Sequence, residues 1–173
     1  MSLTEVHPSG KRRVLVVDDD PVIRTFCKKI LKQAGYTTLA AAGSADAIWL
    51  IESSAEPFDL LVVDVFLPIS TTIPLVSIQH IYPPMNGDEM VRHMLATVPE
   101  LRVLYISSSS HDNLLKQGIV LSPAPFMQKP LTADTLLRSV KATIEAPPLR
   151  LDHLEKAPPK PESHPGQQFW LAS

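Results

Sequence analysis

The sequence predicts an α/β domain with a doubly wound parallel sheet, built from five successive β-strand and α-helix units, (βα)5. From Val14 onward, short runs of β-branched residues alternate with longer amphipathic runs, which is typical of βα units around a parallel sheet. The short runs are apolar without strict alternation, as expected of strands that helices cover on both faces. At 173 residues and 45% hydrophobic content, the chain can form one core of ordinary size. We therefore expect a single folded domain.

Each element is predicted from its local pattern, in chain order. The predicted strands are Val14–Val17, Thr37–Ala40, Leu60–Asp64, Val103–Ser107 and the short Phe126–Gln128. The predicted helices are Pro21–Ala34, Ser44–Ser53, Gly87–Thr97, Asp112–Gln117 and Thr132–Glu145. Asp20 and Pro21 are a helix N-cap and a first-turn proline, and they mark the start of the first helix. The fourth helix matches a helical pattern poorly, because its surroundings are polar and Pro123 and Pro125 interrupt the chain soon after it.

Three segments lie outside the repeating units. We assign residues 1–12 to an N-terminal extension and residues 147–173 to a flexible tail, whose many prolines and mixed charges limit the surface it can bury. Residues 69–83 interrupt the domain assigned to residues 13–146, and they contain no Asp, Glu, Lys or Arg. An uncharged loop of this length is unusual in a compact domain, and its apolar side chains make disorder unfavourable. The secondary structure of this insert stays open.

Composition excludes several classes of protein. The 16 basic residues nearly balance the 18 acidic ones, and a net charge of -2 gives no electrostatic case for binding nucleic acid or an anionic membrane. No apolar run approaches the roughly 20 residues that span a bilayer, and the N-terminus shows no signal-peptide pattern. The single cysteine, Cys27, excludes an internal disulfide and fits a reducing compartment. We expect a soluble, cytoplasmic protein whose partners are proteins.

Acidic residues follow the first and third predicted strands, at the end of the sheet where doubly wound proteins bind ligands. The first strand is followed by Asp18, Asp19 and Asp20, and the third ends in Asp64. Carboxylates about 4 Å apart repel by roughly 4 kcal/mol per pair at an effective dielectric constant near 20, so this cluster needs a cation or a proton. Mg²⁺ is the expected ion, because it prefers oxygen ligands and often bridges carboxylates to a phosphoryl oxygen.

These residue types predict phosphoryl transfer. A carboxylate can attack phosphorus to form an acyl phosphate, and Asp64 is the best-placed nucleophile. Lys129 follows the fifth strand and would neutralise the phosphoryl oxygens, while the hydroxyl of Ser107, at the end of the fourth strand, would hydrogen-bond another oxygen. The predicted metal ligands are Asp19 and Asp64 directly, Asp18 through a bound water, and the backbone carbonyl of Phe66.

The motifs, taken in order, resemble response-regulator receiver domains from about Arg13 to Ile144. The similar segments are VLVVDDDPVIR (14–24), VVDVFLP (62–68), PMNGDEM (84–90), LRVLYIS (101–107) and FMQKPLTADTLLRSV (126–140). The last two are most similar to receivers attached to hybrid sensor kinases. The resemblance implies a flavodoxin-like sheet with strand order 2-1-3-4-5 and a role in a two-component phosphorelay.

The resemblance also implies roles for single residues. Asp18, Asp19 and Asp64 would form the acid pocket, with Asp64 as phosphoacceptor, Lys129 as the receiver lysine and Mg²⁺ as the cofactor. Ser107 would sense phosphorylation, Phe126 would be the aromatic switch residue, and the Lys129–Pro130 peptide would be cis. The donor would be a histidine kinase or a histidine phosphotransfer protein. Such a domain is no conventional enzyme, although it assists its own phosphoryl transfer and dephosphorylation. The downstream protein and a homodimer are left open.

Alternative functions differ in what they need from the same residues. A phosphorylation-independent interaction module, acting through the 69–83 insert, remains open because the insert is apolar and borders the acceptor. An aspartyl phosphatase of the haloacid-dehalogenase type needs a second acid two residues after its nucleophile, where Phe66 stands. A flavodoxin-like cofactor binder needs a phosphate loop after the first strand, where three carboxylates stand.

Overall fold

The computed structural model describes residues 10–68, 85–119, 121, 124–150 and 152. The predicted insert at 69–83 lies outside these residues, as do residues 1–9 and nearly all of the predicted tail after residue 150. Within the described residues no helix has the length and apolar character needed to cross a membrane. The elements are β1 (Arg13–Val17), α1 (Pro21–Gln33), β2 (Thr37–Ala41), α2 (Ser44–Ser53), β3 (Leu60–Asp64), α3 (Gly87–Thr97), β4 (Arg102–Ser107), α4 (His111–Lys116), β5 (Phe126–Gln128) and α5 (Ala133–Glu145).

The five strands form one parallel sheet in the order β2-β1-β3-β4-β5. This confirms the predicted α/β class, the doubly wound topology and the strand order. Strands β1 and β3 are adjacent at the centre of the sheet, and every residue of both is buried. Burial on both faces is why their sequences are apolar without alternation.

The sheet separates two hydrophobic layers. On one face, Val14, Val16, Leu60 and Val62 of the central strands pack with buried residues of α1 and α5. The alternate strand residues, Leu15, Val17, Leu61 and Val63, face the other layer and pack with buried residues of α2 and α3. Successive side chains of a strand point to opposite faces, so each central strand contributes to both layers. This packing on both faces fixes the positions of the strand ends relative to one another.

Helix caps account for the positions of the helix ends. Asp20 caps α1 by accepting a hydrogen bond from the Val22 amide at 2.8 Å, as its sequence predicts. Helix α4 begins one residue earlier than predicted, because Ser110 caps it by accepting from the Asn113 amide at 3.3 Å. Burial of Leu114 fixes this short helix against the core. A single cap and a single buried leucine thus form a helix that the sequence pattern indicated only poorly.

The chain after α5 packs against the domain beyond the predicted boundary at residue 146. The Ala146 carbonyl accepts a hydrogen bond from Arg102 Nε at 2.9 Å, at the amino end of β4. Leu149 is only 8% exposed and belongs to the layer formed with α2 and α3, although α5 packs on the opposite face. The chain therefore crosses beneath the amino edge of the sheet before it reaches the remainder of the predicted tail.

We predict that Leu149→Ala lowers the free energy of unfolding by about 2 kcal/mol, because it removes buried apolar atoms and leaves a cavity. The loss is measured by urea denaturation, and the m-value should stay unchanged. The matched control is Leu115→Ala, since Leu115 is 43% exposed and its truncation should cost about 0.5 kcal/mol or less. A loss of about 0.5 kcal/mol or less in Leu149→Ala would show that Leu149 contributes little to the core.

Candidate functional site

Three carboxylates meet at the carboxyl edge of the sheet. Val17 of β1 is paired with Val63 of β3, so the residues that follow them, Asp18 and Asp64, are neighbours. Carboxylate oxygens of Asp18, Asp19 and Asp64 all lie within 4.8 Å of one another. Asp18 and Asp64 are buried, whereas Asp19 is exposed. The structure therefore brings together the three acids that the sequence singled out.

Lys129 follows β5, the edge strand two places from β3, and its side chain contacts this cluster. Its Nζ lies 2.5 Å from Oδ2 of Asp64 and 2.7 Å from Oδ2 of Asp18. Because β4 lies between β3 and β5, the lysine side chain crosses the end of β4 to make these contacts. The Lys129 amide donates to the Ser107 carbonyl at 2.8 Å, which continues the β4–β5 pairing by one residue. The Lys129–Pro130 peptide is cis, as the resemblance implied.

Both oxygens of the Asp64 carboxylate are held in place. Oδ1 accepts from the Phe66 amide at 2.9 Å, and Oδ2 accepts from Lys129 Nζ. Asp18 is oriented in a similar way, since its Oδ1 accepts from the Asp20 amide at 2.9 Å. Two buried carboxylates with defined orientations are thereby presented at one edge of the sheet.

The charges in the cluster do not balance. Burial raises the pKa of Asp18, and its contacts with Lys129 and the Asp20 amide offset this only in part. Burial also acts to lower the pKa of Lys129, but the contacts with Asp18 and Asp64 outweigh it, so that this pKa is raised. One ammonium group among three carboxylates leaves the cluster negative. The arrangement favours the binding of a further cation.

The residues present fit Mg²⁺. All donors are carboxylate oxygens, which Mg²⁺ prefers, and they lie within 4.8 Å of one another, close enough for one ion to bind some directly at about 2.1 Å and another through a bound water. The buried Oδ2 of Asp18 has Lys129 Nζ at 2.7 Å and no further described partner, so this oxygen keeps capacity for another one. At Phe66 the group that contacts Asp64 is the amide, and the predicted role of its carbonyl as a ligand stays a prediction.

The two predicted switch residues lie on β4 and β5, the two strands beyond β3 on the side of Lys129. Ser107 is fully buried, and its Oγ accepts a hydrogen bond from the Ser109 amide at 3.1 Å. Phe126 is partly buried, and its ring meets that of His111 edge-on, with the ring centroids 5.8 Å apart. His111 is the first residue of α4, so the loop after Ser107 leads directly to the residue that contacts Phe126. Their switching roles remain predictions.

Two further residues hold the backbone of the site, and the sequence predicts no such role for either. The amide of Gly87, the first residue of α3, donates to the Val65 carbonyl at 3.2 Å, and a Cβ on this glycine would lie 2.0 Å from the carbonyl oxygen of Asp64. Arg24 of α1 donates to the carbonyls of Asp18 and Asp19. Both residues lie within the segments that resemble receiver domains. Their contacts with backbone carbonyl groups, however, cannot be predicted from the spacing of residue types.

Comparison with known proteins gives a consistent result. Residues 14–141 match the family described as response regulator receiver domain. The chain is 25% identical over 137 residues to the sensor kinase CckA of Brucella abortus, 26% over 140 residues to the response regulator MprA of Mycobacterium ulcerans, and 24% over 135 residues to the receiver protein CpdR of Brucella abortus. These matches cover 79%, 81% and 78% of the chain, and 13%, 53% and 98% of the respective relatives.

Solved structures show the same fold. A CheY-like receiver domain protein from Methanospirillum hungatei JF-1 matches with a TM-score of 0.60 and 25% identity, over 78% of this chain and 94% of that one. The chemotaxis protein CheY4 of Vibrio cholerae matches with a TM-score of 0.61 and 22% identity, over 77% and 98% of the two chains.

We predict that Gly87→Ala destabilises the fold by about 1 to 3 kcal/mol, because the added methyl group would overlap the Asp64 carbonyl. Helix propensity alone predicts the opposite sign, since alanine favours a helix over glycine. The matched control is Gly43→Ala, where the new Cβ meets nothing within 4 Å and only a weaker N-cap is expected. Urea denaturation compares the two, and a stabilised Gly87→Ala protein would contradict the close contact.

We also predict that Asp18→Asn raises the free energy of unfolding of the metal-free protein at neutral pH. The pKa of Asp18 is raised in the fold, so its favourable contribution is complete below the ordinary value of 3.8 and is lost as the pH rises through the folded value. Asparagine is uncharged at every pH, so the variant avoids this loss of stability. The difference in free energy of unfolding between the two proteins should therefore vanish on acidification. Urea denaturation across pH tests this, with the exposed Asp134→Asn as control. A difference in free energy of unfolding that stays constant with pH would contradict this prediction.

Proposed function

Because the chain belongs to the response regulator receiver domain family, we propose that it accepts a phosphoryl group on Asp64 from a phosphohistidine and thereby switches its binding of a partner. The observation that carries this proposal is the double contact of Lys129 with Asp64 and Asp18, beside three carboxylates within 4.8 Å. An oriented carboxylate, a cation that faces it and a site for a second cation are what phosphoryl transfer requires.

The proposed step transfers the phosphoryl group without an added reactant. An oxygen of Asp64 forms a bond to phosphorus while the bond between phosphorus and the donor imidazole nitrogen breaks. The imidazole keeps the electron pair of the broken bond and takes up a proton from water. Lys129 exchanges part of its contact with the carboxylate for contact with a phosphoryl oxygen. Mg²⁺, when held by Asp18, Asp19, Asp64 and the Phe66 carbonyl, supplies positive charge next to the phosphoryl oxygens.

The proposed switch starts at Ser107. Its hydroxyl now accepts from the Ser109 amide, and it would turn to donate to a phosphoryl oxygen on Asp64. That change loosens the loop that leads to His111, and the ring contact between His111 and Phe126 transmits it to β5. A partner that binds only one arrangement of Phe126 would then sense phosphorylation.

The donor and the setting follow from the same proposal. A histidine kinase or a histidine phosphotransfer protein is the proposed donor, and the cytoplasm is the proposed location. The protein acts as a signalling phosphoacceptor that assists its own phosphorylation and dephosphorylation. Neither nucleic acid nor a membrane takes part in this scheme.

We predict that the protein gains one phosphoryl group when treated with acetyl phosphate and Mg²⁺, because the pocket itself positions and neutralises the phosphoryl oxygens. Intact-mass spectrometry measures the gain. Asp64→Asn should abolish it, and removal of Mg²⁺ with a chelator should reduce it by at least about tenfold.

The matched control is Asp134→Asn, which alters an exposed aspartate outside the pocket and should leave the mass gain unchanged. If the unaltered protein gains no phosphoryl group from acetyl phosphate or from a phosphorylated histidine protein, the proposal fails. The phosphorylation-independent module acting through residues 69–83 would then be the better account, and deletion of those residues should abolish partner binding.

A further inference from the structure

One residue of α1 holds all three carbonyl groups of the acidic turn between β1 and α1. Nη1 of Arg24 donates to the carbonyl of Asp18 at 2.6 Å and to that of Asp19 at 2.9 Å. The backbone amide of Arg24 donates to the carbonyl of Asp20 at 3.1 Å. Three successive peptide groups are thereby tied to a single helical residue.

The amide side of the same turn is held by the aspartates themselves. The Asp20 amide donates to Oδ1 of Asp18, and the Val22 amide donates to Oδ1 of Asp20. Together with the bonds from Arg24, these contacts fix the orientation of each peptide plane in the turn. The side chains of Asp18 and Asp19 project from that backbone, so a rotation of its peptide planes would displace their carboxylates.

We infer that Arg24 is a positioning residue for Mg²⁺ binding: it fixes the backbone of the acidic turn so that the carboxylates of Asp18 and Asp19 converge with that of Asp64. This inference rests on the proposed function, in which the pocket holds Mg²⁺. Arg24 itself touches carbonyl oxygens, and its effect on the ion is exerted through the two aspartates.

Geometry and charge predict opposite effects on Mg²⁺ affinity when Arg24 is replaced. A positive charge near the pocket opposes the arrival of Mg²⁺, so loss of the charge alone would tighten Mg²⁺ binding. Loss of the two carbonyl contacts would instead release the turn and weaken Mg²⁺ binding. The direction of the change in affinity therefore separates a positioning role from a purely electrostatic one.

The experiment measures the Mg²⁺ dissociation constant by calorimetry in the unaltered protein, Arg24→Met and Arg24→Lys. We expect Arg24→Met to bind Mg²⁺ at least about tenfold more weakly, as is usual when a group that orients metal ligands is lost. Arg24→Lys keeps the charge, but its ammonium group ends one bond short of the Nη1 that makes both carbonyl contacts, so this variant should also bind Mg²⁺ more weakly. The control is Lys28→Met, which removes a positive charge one helical turn further along α1 and should bind Mg²⁺ as well as, or slightly better than, the unaltered protein.

A second readout needs no metal. Hydrogen exchange of the Asp20 amide reports on its bond to the Asp18 carboxylate, and in the metal-free protein it should be faster in both Arg24 variants than in Lys28→Met. Unchanged or tighter Mg²⁺ binding in both Arg24 variants, with unchanged exchange, overturns the inference. If Arg24→Met does not fold, Arg24→Lys decides. If the unaltered protein binds no Mg²⁺, the proposed function fails, and exchange at Asp20 alone decides whether Arg24 orients the turn.

Discussion

The crowding of Asp18, Asp19 and Asp64 at one edge of the sheet is the constraint on which the site depends. Like charges this close repel, and burial of two of them removes the water that would screen the repulsion. Lys129 offsets part of this cost by contacting Asp18 and Asp64 together. The residual negative charge favours a cation in the pocket, so the repulsion that opposes folding also favours cation binding.

Backbone contacts keep the crowded groups from moving apart. On the β1 side, Arg24 ties down the carbonyls of the acidic turn. On the β3 side, Gly87 lets the start of α3 press directly on the backbone of Asp64 and Val65. Since the strands themselves are fixed by two apolar layers, the carboxylates have few ways to relieve their repulsion. The pocket is therefore supported by residues that carry no chemistry of their own.

Much of this architecture could be predicted from residue patterns, and the exceptions share a physical cause. The run Leu60–Asp64 indicated a buried strand with an acid at its end, because apolar composition and polar termination are local signals. Helix α4 begins one residue before its predicted start, since that start depends on the hydroxyl of Ser110. Leu149 carried no signal, because its burial depends on residues distant in sequence. Arg24 and Gly87 act on backbone atoms, which amino-acid patterns do not record.

The segment after α5 and the carboxylate cluster lie at opposite ends of the sheet. Leu149 anchors the segment after α5 near the amino ends of the strands, whereas Asp64 lies at their carboxyl ends. The five residues of β3 extend over about 17 Å. The segment from Ala146 to Leu149 thus packs at the end of the sheet opposite Asp64.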